Sequence, residues 1–331
     1  MPLPRISFIE KITHSSSPRL GYVLVICAAA LAGLIHSVSK PMLGNSDVNI
    51  VEINPLTLAA VIFIINGLFF TPIKKNGAGF SKIGQKNLML LILIGIAEVS
   101  AIITYFFGLK ESTAVNASIL TNGEIIFSLV IAIAIFREKL QKKESLPFSM
   151  IIGGVILLPV GYDLYQNGMV MTNLVLGDLL ILLSGIFYAL DINMCKYVSD
   201  RVDAKKITQM ASFAGGGFAL FLILIFQIPF DISMSHIPNI AVIGIFGTGV
   251  STFFFLIALR LIGAVRTILL YSSTSAFGMI FAGILLHEEI TVFSVISIVL
   301  VFAGVYWLRN RFGRDEKTIN DLSGKFKHGK L

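Results

Sequence analysis

The chain contains ten apolar stretches, each long enough to cross a lipid bilayer as a helix. A transmembrane helix needs roughly 20 largely apolar residues, because the bilayer interior has no water to satisfy exposed backbone groups. The ten stretches cover residues 20–39, 54–73, 87–108, 114–136, 146–163, 176–196, 207–228, 238–259, 265–286 and 290–308. A mean hydropathy of +0.85 and a charged fraction of 14% exclude a soluble domain of this length. We therefore predict an all-α polytopic membrane protein with ten transmembrane helices.

The positions of the cationic residues predict the topology. Of the 26 Lys and Arg residues, all but Lys40 and Lys110 fall on one set of alternate loops and on the two termini. This bias follows the positive-inside rule for ten spans and predicts cytoplasmic termini, most naturally in the plasma membrane. The net charge of +7 is explained in this way, so the lipid bilayer and not nucleic acid is the expected partner.

An internal repeat divides the chain into two halves. Residues 114–140 align without a gap on residues 264–290, at an offset of 150, and identical residues recur along this register. Because each half holds five spans, an odd number, the second half is predicted to be inverted relative to the first. The sequence thus predicts two inverted five-helix repeats, 20–163 and 164–308, flanked by a cytoplasmic tail at 1–19 and a basic tail at 309–331.

Two glutamates are predicted to lie deep in the membrane. Glu98 lies about 11 residues from each end of span 3, where Tyr105 shares its helical face, and Glu124 follows Asn122 in span 4. An ionised carboxylate facing lipid at that depth costs about 2.5–3.5 kcal/mol. Each glutamate is therefore expected to face protein or water, either on a substrate or proton pathway or as a protonated structural carboxyl.

Further polar residues extend this candidate pathway, and each has a structural alternative. Tyr188 and Asp191 share one stripe of span 6, where Asp191 could also serve as a boundary residue. His36 in span 1 and Asn66 in span 2 could equally be packed or hydrogen-bonded between helices.

Span 9 carries the run 271–275, which replaces residues 121–125 of span 4. Five consecutive hydroxyl residues, among them Tyr271, Ser272 and Thr274, are not expected all to face lipid. We expect part of the run to line a cavity. Since Thr274 occupies the position equivalent to Glu124, the site is predicted to be polar from both halves but acidic from the first alone.

The sequence also resembles a known family. FREKL at 136–140 with GGVILL at 153–158, echoed by LHEEI at 286–290 and AGVYWL at 303–308, resembles the EamA repeat of the drug/metabolite transporter superfamily. The resemblance covers nearly all of 20–310 and implies a ten-helix secondary transporter of small metabolites. The chain differs from the family at two sites: Ile62 stands where an Arg is frequent, and Ile125 stands where Glu124 would be followed by Pro.

The charges in the spans indicate a substrate class. No Lys or Arg is predicted deep in the membrane, whereas phosphate-bearing substrates require cations. We therefore expect an exporter or exchanger of small metabolites such as amines or amino acids, with no cofactor, in which a proton or another ion could be coupled to transport at Glu98 or Glu124. The coupling ion, the direction of transport and the oligomeric state stay open. A channel or lipid flippase of the same fold is the alternative. An enzyme is not expected, because the histidines and carboxylates show neither metal-ligand spacing nor a nucleophile–base pair.

Overall fold

The computed structural model describes residues 18–44, 52–71, 84–136, 145–157, 173–199 and 201–307, and these form ten helical segments. In chain order the helices are α1 (Pro18–Leu43), α2 (Pro55–Phe70), α3 (Gln85–Glu111), α4a (Ala114–Leu120), α4b (Gly123–Phe136), α5 (Ser145–Ile156), α6 (Asn173–Ser199), α7 (Ala204–Phe226), α8 (Met234–Ile262), α9a (Ala264–Tyr271), α9b (Thr274–Leu285) and α10 (Val292–Trp307). Counting α4 and α9 as one broken helix each gives the predicted ten.

Length and composition suit these helices to a membrane. Six of the described segments are at least 18 residues long and apolar enough to span a bilayer, and shorter apolar helices accompany them. Large apolar side chains stand on the outer surface, such as Leu224 at 77%, Ile284 at 64% and Val299 at 58% exposure. Lipid tails would solvate such a surface, whereas water would not. The chain is an all-α membrane protein.

The helices pack as two inverted copies around a pseudo-two-fold axis. Helix α3 packs on α6, and its equivalent α8 packs on α1. Helices α2 and α7, which are equivalent to each other, form a pair on the axis. Reciprocal contacts of this kind are those that a two-fold operation produces.

The crossing of α5 and α10 shows the reciprocity at single residues. A Cβ atom placed on Gly154 would lie 2.8 Å from the carbonyl oxygen of Ser297, and one on Gly304 would lie 2.6 Å from that of Pro147. Gly154 and Gly304 are 150 positions apart, and so are Pro147 and Ser297. The two helices approach closely because neither carries a side chain at the crossing.

A charged contact at the end of α3 has a counterpart at the end of α8. Lys110 forms a 2.8 Å ion pair with Glu52, near the start of α2. Arg260, at the equivalent position, donates to the carbonyl of Val202 and approaches Asp203 at 4.0 Å, near the start of α7. These contacts join the third and second helices within each repeat, at opposite sides of the membrane.

The structure differs from the sequence prediction in spans 4 and 9, which were expected to be continuous. Span 4 breaks at Thr121 and Asn122, and span 9 breaks at Ser272 and Ser273. At each break the amides switch to tighter i→i−3 bonds, such as Glu124 N to Thr121 O and Ser275 N to Ser272 O. Ser, Thr and Asn side chains compete for helix carbonyls, which explains why both breaks lie in the polar part of the span.

Packing around the broken helices departs from the two-fold symmetry. We call the side on which α1 begins the inner side and the opposite side the outer side. On the outer side α4a packs on α9b. On the inner side α4b packs on α6 and α5, while α9a packs on α1 and α8, and the described residues of α4b and α9a form no comparable contact with each other. The repeats are therefore closed together on the outer side.

Candidate functional site

One cavity of about 120 Å³ lies between the two repeats. Both repeats supply its wall. Its polar or ionisable lining residues are His36, Glu98, Tyr105, Thr121, Asn122, Glu124, Tyr188, Asp191, Cys195, Thr248, Thr252, Tyr271, Ser272, Thr274 and Ser275. Apolar side chains, including Ile102, Phe255 and Leu256, complete it. A site at the interface of inverted repeats is where transporters of this construction bind their substrates.

Ten of the eleven residues that the sequence singles out line this cavity. The exception is Asn66, which is 1% exposed and donates a 2.8 Å hydrogen bond to Ser212 Oγ on α7. Asn66 therefore joins two helices away from the cavity.

Three carboxyl side chains face the cavity: Glu98 on α3, Glu124 on α4b and Asp191 on α6. Asp191 accepts a 3.4 Å hydrogen bond from Cys195 Sγ and interacts electrostatically with both glutamates. Within the described chain, no group hydrogen-bonds the side chain of Glu98 or Glu124. Both glutamates are half-buried, so their oxygens remain available to the cavity.

The prediction that only the first repeat supplies acid is wrong. Asp191 belongs to the second predicted repeat and lies in the same cavity as the two glutamates. The sequence suggested a boundary position for Asp191 because it lies near the inner end of its span. The break in span 4 lets α4b pack along α6, which brings Glu124 and Asp191 to one wall.

His36 and Tyr105 form a buried polar pair on the outer part of the wall. Tyr105 is 1% exposed and His36 is 4% exposed, and His36 Nδ1 lies 2.5 Å from the hydroxyl of Tyr105. The other ring nitrogen, Nε2, has no hydrogen-bond partner among the described residues and lies beside Gly278. The pair connects α1 to α3 directly beneath the contact of α4a with α9b.

Helix α8 supplies lining residues that are not among the candidates predicted from the sequence. Thr248 and Thr252 line the cavity, together with Gly247. They lie at or just after a π-helical stretch, Ile243–Val250, in which the backbone is wider by about one residue per turn. Such stretches are frequent at functional sites. The spacing of Thr248 and Thr252, four residues apart, was the available signal for a shared polar face.

On the outer side, one anionic and one cationic side chain stabilise the start of α4a and the end of α3. Glu288 accepts hydrogen bonds from the backbone amides of Ala114 at 2.9 Å and Val115 at 2.8 Å. Lys40 donates to the carbonyls of Leu109 and Lys110, both at 2.9 Å, at the end of α3. An anion suits the start of a helix and a cation suits the end of one. The α3–α4a turn is therefore held from both sides.

Ten membrane helices in two inverted repeats around one polar cavity are an architecture of membrane transporters. The chain belongs to the EamA-like transporter family, whose sequence profile matches residues 19–159 and 175–310. This confirms the family that the repeat motifs resembled.

Relatives and a solved structure agree with this membership. An uncharacterized transporter of Methanothermobacter thermautotrophicus is 30% identical over 87% of this chain and 85% of its own length. The uncharacterized transporter YyaM of Bacillus subtilis is 25% identical over 86% of this chain and 92% of its own. A crystal structure of a protein at 15% identity covers 88% of this chain and 98% of its own, with a TM-score of 0.62, and shows a similar fold.

Proposed function

We propose that the protein is a secondary active transporter that exports or exchanges small metabolites such as amines or amino acids by alternating access. The observation that carries the proposal is an acidic cavity at the interface of two inverted repeats, closed on the outer side. Exchange of the roles of the two repeats would open the outer side and close the inner one. With cytoplasmic termini in the plasma membrane, the present conformation faces the cytoplasm.

The charge of the cavity supports a cationic or zwitterionic substrate. Three carboxyl groups line it, and no Lys or Arg is among its described lining residues. Anionic substrates such as phosphates would meet repulsion and find no paired cation. We therefore assign Glu98, Glu124 and Asp191 to binding the positive group of the substrate.

The same carboxyls support coupling to protons. A half-buried carboxyl that no described protein group hydrogen-bonds is costly to keep charged without a ligand, whereas an arriving cation stabilises its charge. A proton and a substrate cation then cannot bind Glu98 or Glu124 at the same time. Movement of protons in one direction is therefore coupled to movement of substrate in the other.

Proteoliposomes with an imposed pH gradient test the coupling. Acid-inside vesicles that contain the protein should accumulate a substrate amine beyond the passive uptake of protein-free vesicles. Replacing Glu98 or Glu124 by Gln should abolish the excess in at least one variant, while Glu289→Gln, an exposed carboxyl outside the cavity, should keep it. Undiminished excess uptake in both cavity variants would refute the proton role.

The kinetics distinguish a transporter from the other candidates. A transporter gives saturable uptake that unlabelled substrate on the opposite side accelerates. Flux that rises linearly with concentration would indicate a channel, and lipid scrambling in vesicles without substrate would indicate a flippase.

A further inference from the structure

From the hydrogen bonds of the cavity wall, we infer that the substrate is a small primary ammonium compound without a carboxylate, and not an amino acid. The inference rests on the proposed function and narrows its substrate class. It follows from the direction of the hydrogen bonds, because the wall already donates most of its polar hydrogens to other groups of the protein.

The hydroxyl run of α9 shows this most clearly. Ser272 Oγ donates to Leu269 O at 2.7 Å, Thr274 Oγ1 to Tyr271 O at 2.7 Å and Ser275 Oγ to Ser272 O at 2.8 Å. A hydroxyl has one hydrogen and two lone pairs. These three side chains can therefore offer a ligand acceptors only.

Hydroxyls on two other helices are used in the same way. Thr121 Oγ1 on span 4 donates to Ser118 O at 2.8 Å, and Thr248 Oγ1 on α8 donates to Gly244 O at 2.9 Å. Asn122 donates one of its two amide hydrogens to Ile119 O at 3.0 Å, which leaves its carbonyl oxygen and one N–H. The backbone groups that receive these hydrogens are those of the broken and widened helices.

The hydroxyl hydrogen of Tyr271 and the thiol hydrogen of Cys195 are also donated within the protein. Ser251 gives its hydroxyl hydrogen to Ala28 O at 2.9 Å, so in its 3.4 Å contact with Tyr271 the tyrosine is the donor. Cys195 donates to Asp191. In the described lining, Tyr188 and Thr252 are hydroxyl residues for which the structure gives no hydrogen-bond acceptor. The His36–Tyr105 pair uses one hydrogen in its own contact and keeps one more, on Tyr105 Oη or on His36 Nε2 according to the tautomer.

The cavity is thus rich in acceptors and poor in donors. Three carboxyls and the lone pairs of five hydroxyls and one amide face it. An ammonium group has three donors and no acceptor, which matches this wall. A carboxylate is all acceptor and would lose its hydration against like groups. Few donors would compensate: the hydroxyls of Tyr188 and Thr252, one N–H of Asn122 and one hydrogen of the His36–Tyr105 pair.

The volume of the cavity and its apolar wall indicate the size and character of the rest of the substrate. A cavity of 120 Å³ is somewhat smaller than the roughly 150 Å³ site that holds benzene, so the substrate has about six non-hydrogen atoms. Ile102, Phe255 and Leu256 supply an apolar wall for a short hydrocarbon body. A branched or linear alkylamine of four to six carbons has this shape.

Binding measurements with matched compounds test the inference without a membrane gradient. The full-length protein in lipid nanodiscs is titrated with 3-methylbutylamine, with leucine, which adds one carboxylate to that skeleton, and with the N-trimethyl derivative, which keeps the charge but has no N–H. The amine should bind saturably, and the other two should bind at least tenfold more weakly. Leucine or the N-trimethyl compound binding as tightly as the amine, or no amine binding, overturns the inference.

A pair of isosteric variants tests the role of the wall. Thr274→Val removes an acceptor and should weaken amine binding about threefold or more. Thr208→Val removes a hydroxyl that is back-bonded in the same way, to Ala204 O on α7 outside the cavity, and should leave binding unchanged. Equal binding in both variants overturns the role assigned to the wall. Amine binding without transport would refute the proposed function alone, and saturable transport of leucine but not of the amine would refute this inference alone.

Discussion

Glu288 is the residue whose replacement tests the outer closure most sharply. Its carboxylate bonds the first two amides of α4a, at 2.9 and 2.8 Å, and joins the end of span 9 to the start of span 4. In Glu288→Gln one acceptor oxygen remains, while the new NH₂ group faces the second amide and cannot accept from it. The variant therefore weakens a contact that exists only while the outer side is closed.

The size of the effect follows from the bonds that are lost. A hydrogen bond to a charged group contributes about 1.5–3 kcal/mol. Since Glu288 is half-buried and water competes for it, the lower end applies, about 1.5 kcal/mol or roughly a tenfold change in the equilibrium. If about 10% of molecules are open on the outer side at the start, roughly half should be open in the variant.

Spin labels at Glu111 and Val292, in a Cys27→Ala, Cys195→Ser background, report the distance across the outer side. Glu288→Gln should add a longer distance to the distribution measured by double electron–electron resonance. Glu289→Gln is the matched control, because it makes the same chemical change at the next, exposed residue, and it should leave the distribution unaltered. An unaltered distribution in Glu288→Gln would refute the role of this contact in closure.

Three glycine substitutions give further predictions. Gly154→Ala and Gly304→Ala should each lower the midpoint of thermal unfolding by an amount equivalent to about 1–3 kcal/mol, because the added Cβ would overpack the α5–α10 crossing. Gly153→Ala should not, because among the described residues no atom beyond its own stretch of helix lies within 4 Å of the added Cβ. Gly278→Ala would place a Cβ 2.6 Å from Ser118 Cβ at the contact of α9b with α4a and should lengthen the labelled distance as Glu288→Gln does; an unchanged distance would show that this contact can accommodate a methyl group.

The architecture could be predicted from the sequence because a lipid bilayer strictly limits which segments can cross it. Apolar length predicts the number of spans, and the fixed 150-residue offset predicts their inverted arrangement, seen in the reciprocal contacts of Gly154 and Gly304. Polar residues deep in a span must face protein or water, so the sequence is enough to assign Glu98, Glu124 and their neighbours to one site.

Local backbone geometry was not predictable in the same way. The breaks in spans 4 and 9 depend on which Ser, Thr and Asn side chains bond back to their own helix, and composition does not settle that choice. The π-helical stretch of α8 shifts the register by about a residue and turns Thr248 toward the cavity. The convergence of Asp191 with Glu124 depends on how α4b packs along α6, which is a tertiary contact and leaves no periodic signal.

Counterflow in proteoliposomes tests whether one cavity is exposed alternately to the two sides of the membrane. Vesicles are loaded with whichever of 3-methylbutylamine or leucine binds, and the same labelled compound is added outside at pH 6, where roughly one amine molecule in 10⁴ is uncharged. Alternating access predicts transient accumulation of label that saturates with concentration and exceeds that of protein-free vesicles. Uptake equal to that of protein-free vesicles, or uptake that rises linearly without accumulation, would contradict alternating access.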